Sequence, residues 1–343
     1  MRLSRPPPHT GAPPRQRALP PRAVADAPAT SPGPGEASSP CSSLRAGAAS
    51  ALLFPHDPLP PSARPTAIAP LIPGRLWTFT SPFYASPISK LSAENRMTVA
   101  ALEGGAGGAP FLALFNPLTP TQEAMDALAA LNTPVAALVI PSTSPEHWVG
   151  AAGAAEAFPD AEIWAPPGFF SNGPGGGRIG GRLGALAPAS AVLDAAAAAG
   201  RARELVFDER AACSLWGGQV EGALFAGRGG FCEVAFRLVA AKTVLTADLA
   251  FGLLPSDLAA TPGANWLDGA LARLAGIYGR LGSATWPVLR ASPAEAAAFV
   301  RVLDGWRAGE GEGGGGVDWV VPAHLSAPWG GEQLEGAFGF VKR

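Results

Sequence analysis

The sequence predicts an α/β (α+β) fold, an αββα sandwich of two mixed β-sheets flanked by helices. Strand-like and helix-like runs alternate between about residues 96 and 165, which argues for layered α/β architecture. From residue 203 onward, short strand candidates separated by Gly-containing turns read as a meander or mixed sheet. Two helical stretches and a last strand, Val317 to Val321, complete the order.

The folded body is expected to begin near Leu76-Trp77-Thr78-Phe79. A strand pair follows at Arg96 to Ala100 and Pro110 to Phe115. Thr121 to Leu131 reads as a helix. Thr121 can cap it, Glu123 lies in its first turn, and Met125, Leu128 and Leu131 recur at helical spacing. Val135 to Ile140 is an uninterrupted apolar run suited to a buried strand. Residues 148–157 suit an Ala-rich helix, and Glu162-Ile163-Trp164-Ala165 another strand. Glu204 to Phe207, Gln219 to Phe225, Phe231 to Val239 and Lys242 to Ala247 are the four strand candidates of the meander. Helices are expected at about 265–281 and 293–307. The second opens with Ser292 as cap, Pro293 at the first helical position and Glu295 closing a capping box. A terminal helix is expected from Glu332 to Phe340.

Composition divides the chain into two parts. The first 65 residues hold 16 of the 37 prolines and seven basic residues, with only Asp26, Glu36 and Asp57 as acids. Such a stretch cannot bury enough apolar surface to offset its ordering entropy. Being Arg- and Ser-rich and poor in acids, it reads as an organelle transit segment, with an ordinary disordered Pro-rich leader as the alternative. The expected organisation is a transit-type leader at 1–66 and one domain at 67–343. Gly-rich loop insertions fall at 171–184 and 309–316. A net charge of −2 without a basic cluster argues against nucleic acid as a partner. The longest apolar stretches fall short of the ~18 residues that span a bilayer. Cys41, Cys213 and Cys232 are odd in number and lack a CxxC spacing, which disfavours a disulfide scaffold or a cysteine zinc site. Cys232 is expected to be a packing residue. Gly175, Gly177 and Gly180 spell a formal GxGxxG, but no convincing strand precedes them, so a dinucleotide site is not expected.

The chemistry lies with the histidines. The body has two, His147 and His324, each just past an apolar strand-like run, and Asp248 ends a third run. Potential ligands at the C-terminal ends of separate strands are how α/β hydrolytic sites are commonly built.

The body from about 75 to 340 resembles the domain-of-unknown-function family numbered 4336, placed within the metallo-β-lactamase fold and found in photosynthetic organisms and bacteria. The resemblance rests on Arg96 to Val99, Pro141 to His147 with Phe158 to Pro167, Glu233 to Phe236, Leu245 to Asp248, and Val321 to His324. In the wider superfamily an H-x-H-x-D-H motif follows a strand and supports two metals. Here that window reads Ser142-Thr143-Ser144-Pro145-Glu146-His147. Ser142 and Ser144 stand where the first two His would be, Glu146 replaces Asp, and His147 matches the final His. Asp248 matches the late Asp and His324 the last His. No His lies between 148 and 323, so the resemblance leaves at most one metal site.

The ligands of that site would be His147, Asp248 and His324, with Glu146 as fourth ligand or catalytic base and Ser142 and Ser144 supporting the rings. Two imidazoles, one carboxylate and an open position suit one zinc or iron ion and hydrolysis of a small-molecule substrate. A metal-free reading makes Ser142 or Ser144 a nucleophile with His147 as base and Asp248 as orienting acid. A third reading keeps the fold as a non-catalytic binding or assembly module, with Trp148, Trp164, Trp216 and Trp329 available to line a pocket. The resemblance and the leader together place the protein in the chloroplast, in the plastid stroma.

Overall fold

Seven strands in chain order build the first sheet of the computed structural model, which describes residues 64–82, 94–104, 108–171, 177–179, 186–261, 264–283, 291–310 and 314–338. They are β1 (Ala67–Ile72), β2 (Leu76–Ser81), β3 (Asn95–Leu102), β4 (Phe111–Phe115), β5 (Val135–Val139), β6 (Glu162–Ala165) and β7 (Ala202–Glu204). The first four run antiparallel, and β4 to β7 are parallel. Parallel neighbours need crossovers, supplied by α1 (Gln122–Ala130), α2 (Pro145–Ala157) and α3 (Ala187–Ala198).

The second sheet holds β8 (Ala212–Leu215), β9 (Val220–Ala226), β10 (Cys232–Leu238), β11 (Thr243–Thr246), β14 (Trp319–Pro322) and β15 (Trp329–Gly330), in the order β15-β14-β11-β10-β9-β8. A small ladder pairs β12 (Phe251–Gly252) with β13 (Leu281–Gly282). Between them come α4 (Pro255–Ala260) and α5 (Trp266–Leu274). α6 (Pro293–Ala308) precedes β14, and α7 (Gln333–Ala337) follows β15.

Burial follows the layers. Phe79, Val99, Leu114, Leu138 and Ile163 pack with Trp148, Leu193 and the alanines of α2 and α3 on the outer face of the first sheet. Ala100, Phe115, Val139, Val234, Phe236, Leu245 and Val321 fill the space between the sheets. Phe225, Ala235, Val244 and Val320 meet Phe299, Leu303, Trp306 and Leu334 on the far side. The order helices, sheet, sheet, helices is the expected αββα sandwich. The tryptophans belong to this packing. Trp148 and Trp329 are buried core residues, and Trp164 and Trp216 meet edge to face at 5.6 Å against the inter-sheet cluster.

Several local expectations are corrected. The ordered body starts before Leu76, because β1 is an edge strand that tolerates Pro70 and a largely exposed face. The strand near Glu204 joins the first sheet through β6, and β8 takes its place as the first strand of the meander. α2 begins at Pro145, three residues earlier than expected, so Glu146 and His147 sit in its first turn and not in a loop. α5 stops at Leu274 and α7 spans Gln333–Ala337, both shorter than expected.

The leader up to residue 63 and most of the 171–184 segment lie outside the described residues. The 309–316 segment is tied to the second sheet. Gly309 caps α6 with φ 80°, and the buried Arg237 donates to the carbonyls of Glu310, Gly314 and Gly315 at 3.1, 3.0 and 2.9 Å. No helix among the described residues is long and apolar enough to cross a membrane.

Candidate metal centre

Asp248 and His324 are 76 residues apart in sequence, yet β11 and β14 are parallel neighbours with Thr246 opposite Pro322. Their C-terminal ends therefore emerge side by side, and the next residues reach the same point. His147 arrives from the first sheet. The segment after β5 pairs with the start of β10: Thr143 N–H donates to the Cys232 carbonyl at 2.9 Å and Val234 N–H to the Pro141 carbonyl at 2.7 Å. This stitch between the sheets aims the first turn of α2 at the ends of β11 and β14.

The structure brings four predicted residues together. Glu146, His147, Asp248 and His324 each offer a ligand atom, and these atoms all lie within 4.8 Å of one another. His147 Nε2 is 3.1 Å and His324 Nε2 3.4 Å from Asp248 Oδ1. His147 is wholly buried, Asp248 and His324 are 6% exposed, and Glu146 is half-buried.

The ring orientations are fixed from outside the cluster. His324 Nδ1 lies 2.7 Å from the Glu94 carbonyl, which can only accept, so that nitrogen carries the proton. His147 Nδ1 lies 2.9 Å from Asn116 Oδ1. The amide nitrogen of Asn116 donates to the Arg96 carbonyl at 2.9 Å and to Asn95 Oδ1 at 2.7 Å, which leaves its oxygen to accept from the ring. Asn95 in turn donates to the Glu146 carbonyl at 2.7 Å. Arg96 grips the segment that carries His324, donating to the carbonyls of Pro322 and Leu325 at 2.7 Å each.

Asp248 has its own anchor. The buried Glu233 carboxyl accepts from the N–H groups of Ala247, Asp248 and Leu249 at 2.9, 2.8 and 3.0 Å.

The electrostatics follow from this packing. Burial works against charge on Asp248, but the two imidazoles outweigh it and hold the carboxyl far below its usual range. Burial would lower the His147 imidazole, but the Asp248 charge outweighs it and pushes it up to about 9. Burial first, and then the Asp248 charge, raise Glu146 above the usual carboxylate range. The same two causes push Glu233 up to about 8.

A metal ion fits these residues on one specific observation. His147 Nε2 is buried with no hydrogen-bond partner, although Asp248 Oδ1 is 3.1 Å away. Its other ring nitrogen is engaged, and outward engagement of this kind is the usual arrangement for a metal-bound histidine. An ion would take the place of the proton that Asp248 favours on His147.

The serines behave otherwise than expected. Ser142 Oγ accepts the Ser144 N–H at 3.1 Å, and Ser144 caps α2 without a side-chain bond. Asn116 and the Glu94 carbonyl hold the rings instead. The metal-free triad also fails. Asp248 faces His147 Nε2, the nitrogen that would have to take a serine proton, while Asn116 occupies Nδ1. Cys232 is a free, partly buried thiol pushed up to about 12 by burial, consistent with a packing role.

Sequence reasoning missed Asn95 and Asn116 as supports, and found Arg96 and Glu233 only inside the resemblance. The available signal for Asn116 was an asparagine between Phe115 and Pro117. Its φ of 57° is one that Asn adopts more readily than most residues.

No curated protein matches the chain in sequence. Solved structures similar to it include the metallo-β-lactamase FIM-1 from Pseudomonas aeruginosa in its mono-zinc form, at 12% identity and a TM-score of 0.47, covering 82% of this chain and 97% of that one. A metallo-β-lactamase from Hirschia baltica matches at 11% identity and a TM-score of 0.46, covering 82% and 99%. Another, from Pontibacter korlensis, matches at 13% identity and a TM-score of 0.44, covering 81% and 100%. Residues 73–258, which include Glu146, His147, Glu233 and Asp248, match the sequence profile described as domain of unknown function (DUF4336), and with more than half its length so matched the chain belongs to that family.

Proposed function

We propose that the chain is a plastid metallo-hydrolase-like protein holding one Zn²⁺ or Fe²⁺ on His147, Asp248 and His324, with Glu146 as fourth ligand or base. Its substrate is a small molecule. The observation that carries this reading is the geometry of the rings. Asn116 and the Glu94 carbonyl hold both Nδ1 atoms, both Nε2 atoms face Asp248, and that of His147 is buried without a hydrogen-bond partner.

A bound ion would lower the pKa of a coordinated water toward ~7 and supply hydroxide. The chain's own residues do the rest. Glu146 is the least buried of the four, and its raised pKa suits a group that takes a proton from an attacking water. Glu233 fixes the loop of Asp248, and Asn116 keeps the acceptor nitrogen of His147 turned inward.

Elemental analysis of protein purified without chelators tests the site. About one ion per chain is expected, lost in His147→Ala and in His324→Ala. A content near zero, unchanged by incubation with Zn²⁺, would overturn it.

A second reading, a non-catalytic binding or assembly module, is favoured by the burial of His147, Asp248 and His324, which already pair with one another. A metal-loaded protein inert toward esters, thioesters, lactones and phosphodiesters would select it.

The Pro-, Arg- and Ser-rich composition of the leader supports import into the plastid stroma. N-terminal sequencing of the native protein checks this, and an intact Met1 in a cytosolic fraction would count against it.

A further inference from the structure

A cavity of about 700 Å³ opens at the free edge of the second sheet, between β8 and α6, and shares no residue with the metal centre. Short residues, Ala212 and Ser214 on β8 and Gly305 on α6, line it together with Phe207, Val302 and Trp306. Val206, at its mouth, is 83% exposed, an unusual state for a valine beside a cavity. The volume falls in the range of roughly 300–1,000 Å³ typical of small-molecule sites, which are mostly apolar with a few placed polar groups.

The charges around it are unequally engaged. Arg210 pairs with Asp208 at 3.4 Å, and Glu221 with the buried Arg237 at 3.1 Å. Arg301 lines the cavity, is exposed, and has no ion pair among the described residues. Glu310 folds toward Gly305, where its carboxylate would lie 3.1 Å from an added Cβ. One free cation therefore stands beside an apolar chamber, with a nearby carboxylate that disfavours a second negative charge.

We propose that this cavity binds an amphipathic monocarboxylate. The apolar body lies against Val206, Phe207, Val302 and Trp306, and the carboxylate rests on Arg301. The site is independent of the metal centre.

Calorimetric titration of the full chain with decanoate and with decanol tests it. Decanoate binds the wild-type chain with a stoichiometry near one. Arg301→Gln weakens decanoate by at least about tenfold, as expected for loss of a charge-assisted hydrogen bond, and leaves decanol unchanged. Ala212→Phe fills the chamber and abolishes both, while Leu274→Ser, on the exposed apolar face of α5, changes neither. Absence of decanoate binding overturns the proposal. So does decanoate affinity indifferent to Arg301→Gln, full binding by a folded Ala212→Phe, or loss of binding in Leu274→Ser. If Ala212→Phe fails to fold, the contrast between decanoate and decanol in Arg301→Gln decides alone, since that side chain is exposed and outside the core.

Discussion

Glu204, at the end of β7, and Glu233, in β10, each collect three backbone N–H groups from a loop beyond a strand end, one in partial contact with solvent and the other wholly buried. Glu204 takes those of Gly168, Phe170 and Ser171, with the Ser171 hydroxyl as a fourth donor. Glu233 takes those of Ala247, Asp248 and Leu249. Burial opposes ionisation at both. At Glu204 the hydrogen bonds outweigh it and lower the pKa. At Glu233 burial and the charge of Asp248 outweigh them and raise it to about 8. Similar hydrogen bonds thus accompany opposite charge preferences, decided by burial and one neighbouring carboxylate. The consequence is functional. In the buried cluster negative charge is favoured most on Asp248, the carboxylate that faces the two imidazoles, and Glu233 acts as an anchor.

The anchor is where the contrast breaks most visibly. Glu233→Ala leaves three buried N–H groups without an acceptor, at about 1–3 kcal/mol each before relaxation. The expected loss of stability is roughly 3–5 kcal/mol by urea unfolding. Glu233→Gln keeps an acceptor oxygen but turns an NH₂ toward the loop, so it should fall between wild type and Ala. Glu204→Ala, with solvent at hand to replace the lost bonds, should cost about 1 kcal/mol or less. Equal losses at the two positions would show that burial is not what separates them.

A smaller effect belongs to the ring supports. Asn116 fixes His147 through an amide whose own orientation is set by Asn95 and Arg96. Asn116→Ala should reduce Zn²⁺ affinity about 10- to 100-fold without abolishing binding, as is typical for partners of ligating histidines. Competition with a chromogenic chelator measures it. Ser142→Ala should leave the affinity within about twofold, because its hydroxyl serves the Ser144 N–H and neither ring.

What could be read from the sequence divides along physical lines. His147, Asp248 and His324 were legible because each is a rare titratable residue just past an apolar run, and run ends map to strand ends. Their supports were not legible. Glu233 and Asn116 act across distances set by strand pairing, and nothing local marks an internal Glu of β10 as the acceptor for residues 247–249. The start of α2 is legible in Ser144-Pro145-Glu146, which has a serine at the cap position, a first-position proline and a first-turn acid as Ser292-Pro293-Ala294-Glu295 of α6 does, although only Ser292 makes the capping bond. β7 was assigned to the meander because its partner β6 lies beyond α3. The cap position of that helix, Leu186, makes no side-chain bond, which leaves Pro188 in its first turn as the start signal. β1 was hidden by Pro70, which only an edge position accommodates.

The smallest expected effect separates the two carboxylates by pH. Glu204 has a folded pKa below its ordinary 4.5, so the unfolded chain binds its proton first as pH falls. Its contribution to stability is present in full above pH 4.5 and is lost as pH drops through the lower folded value. Glu204→Gln should therefore lower the melting temperature slightly at neutral pH and flatten part of the acid limb, so that its profile converges with that of wild type as pH falls. Glu233 has the opposite sign. Its raised folded pKa makes ionisation unfavourable to the fold between about 4.5 and about 8, so acidification through that window works in its favour. Melting profiles of wild type, Glu204→Gln and Glu233→Gln from pH 3 to 8 test both signs. An acid limb unchanged in Glu204→Gln would mean that the N–H groups of Gly168, Phe170 and Ser171 do not hold that carboxylate ionised. The difference between the two sites would then rest on Glu233 alone.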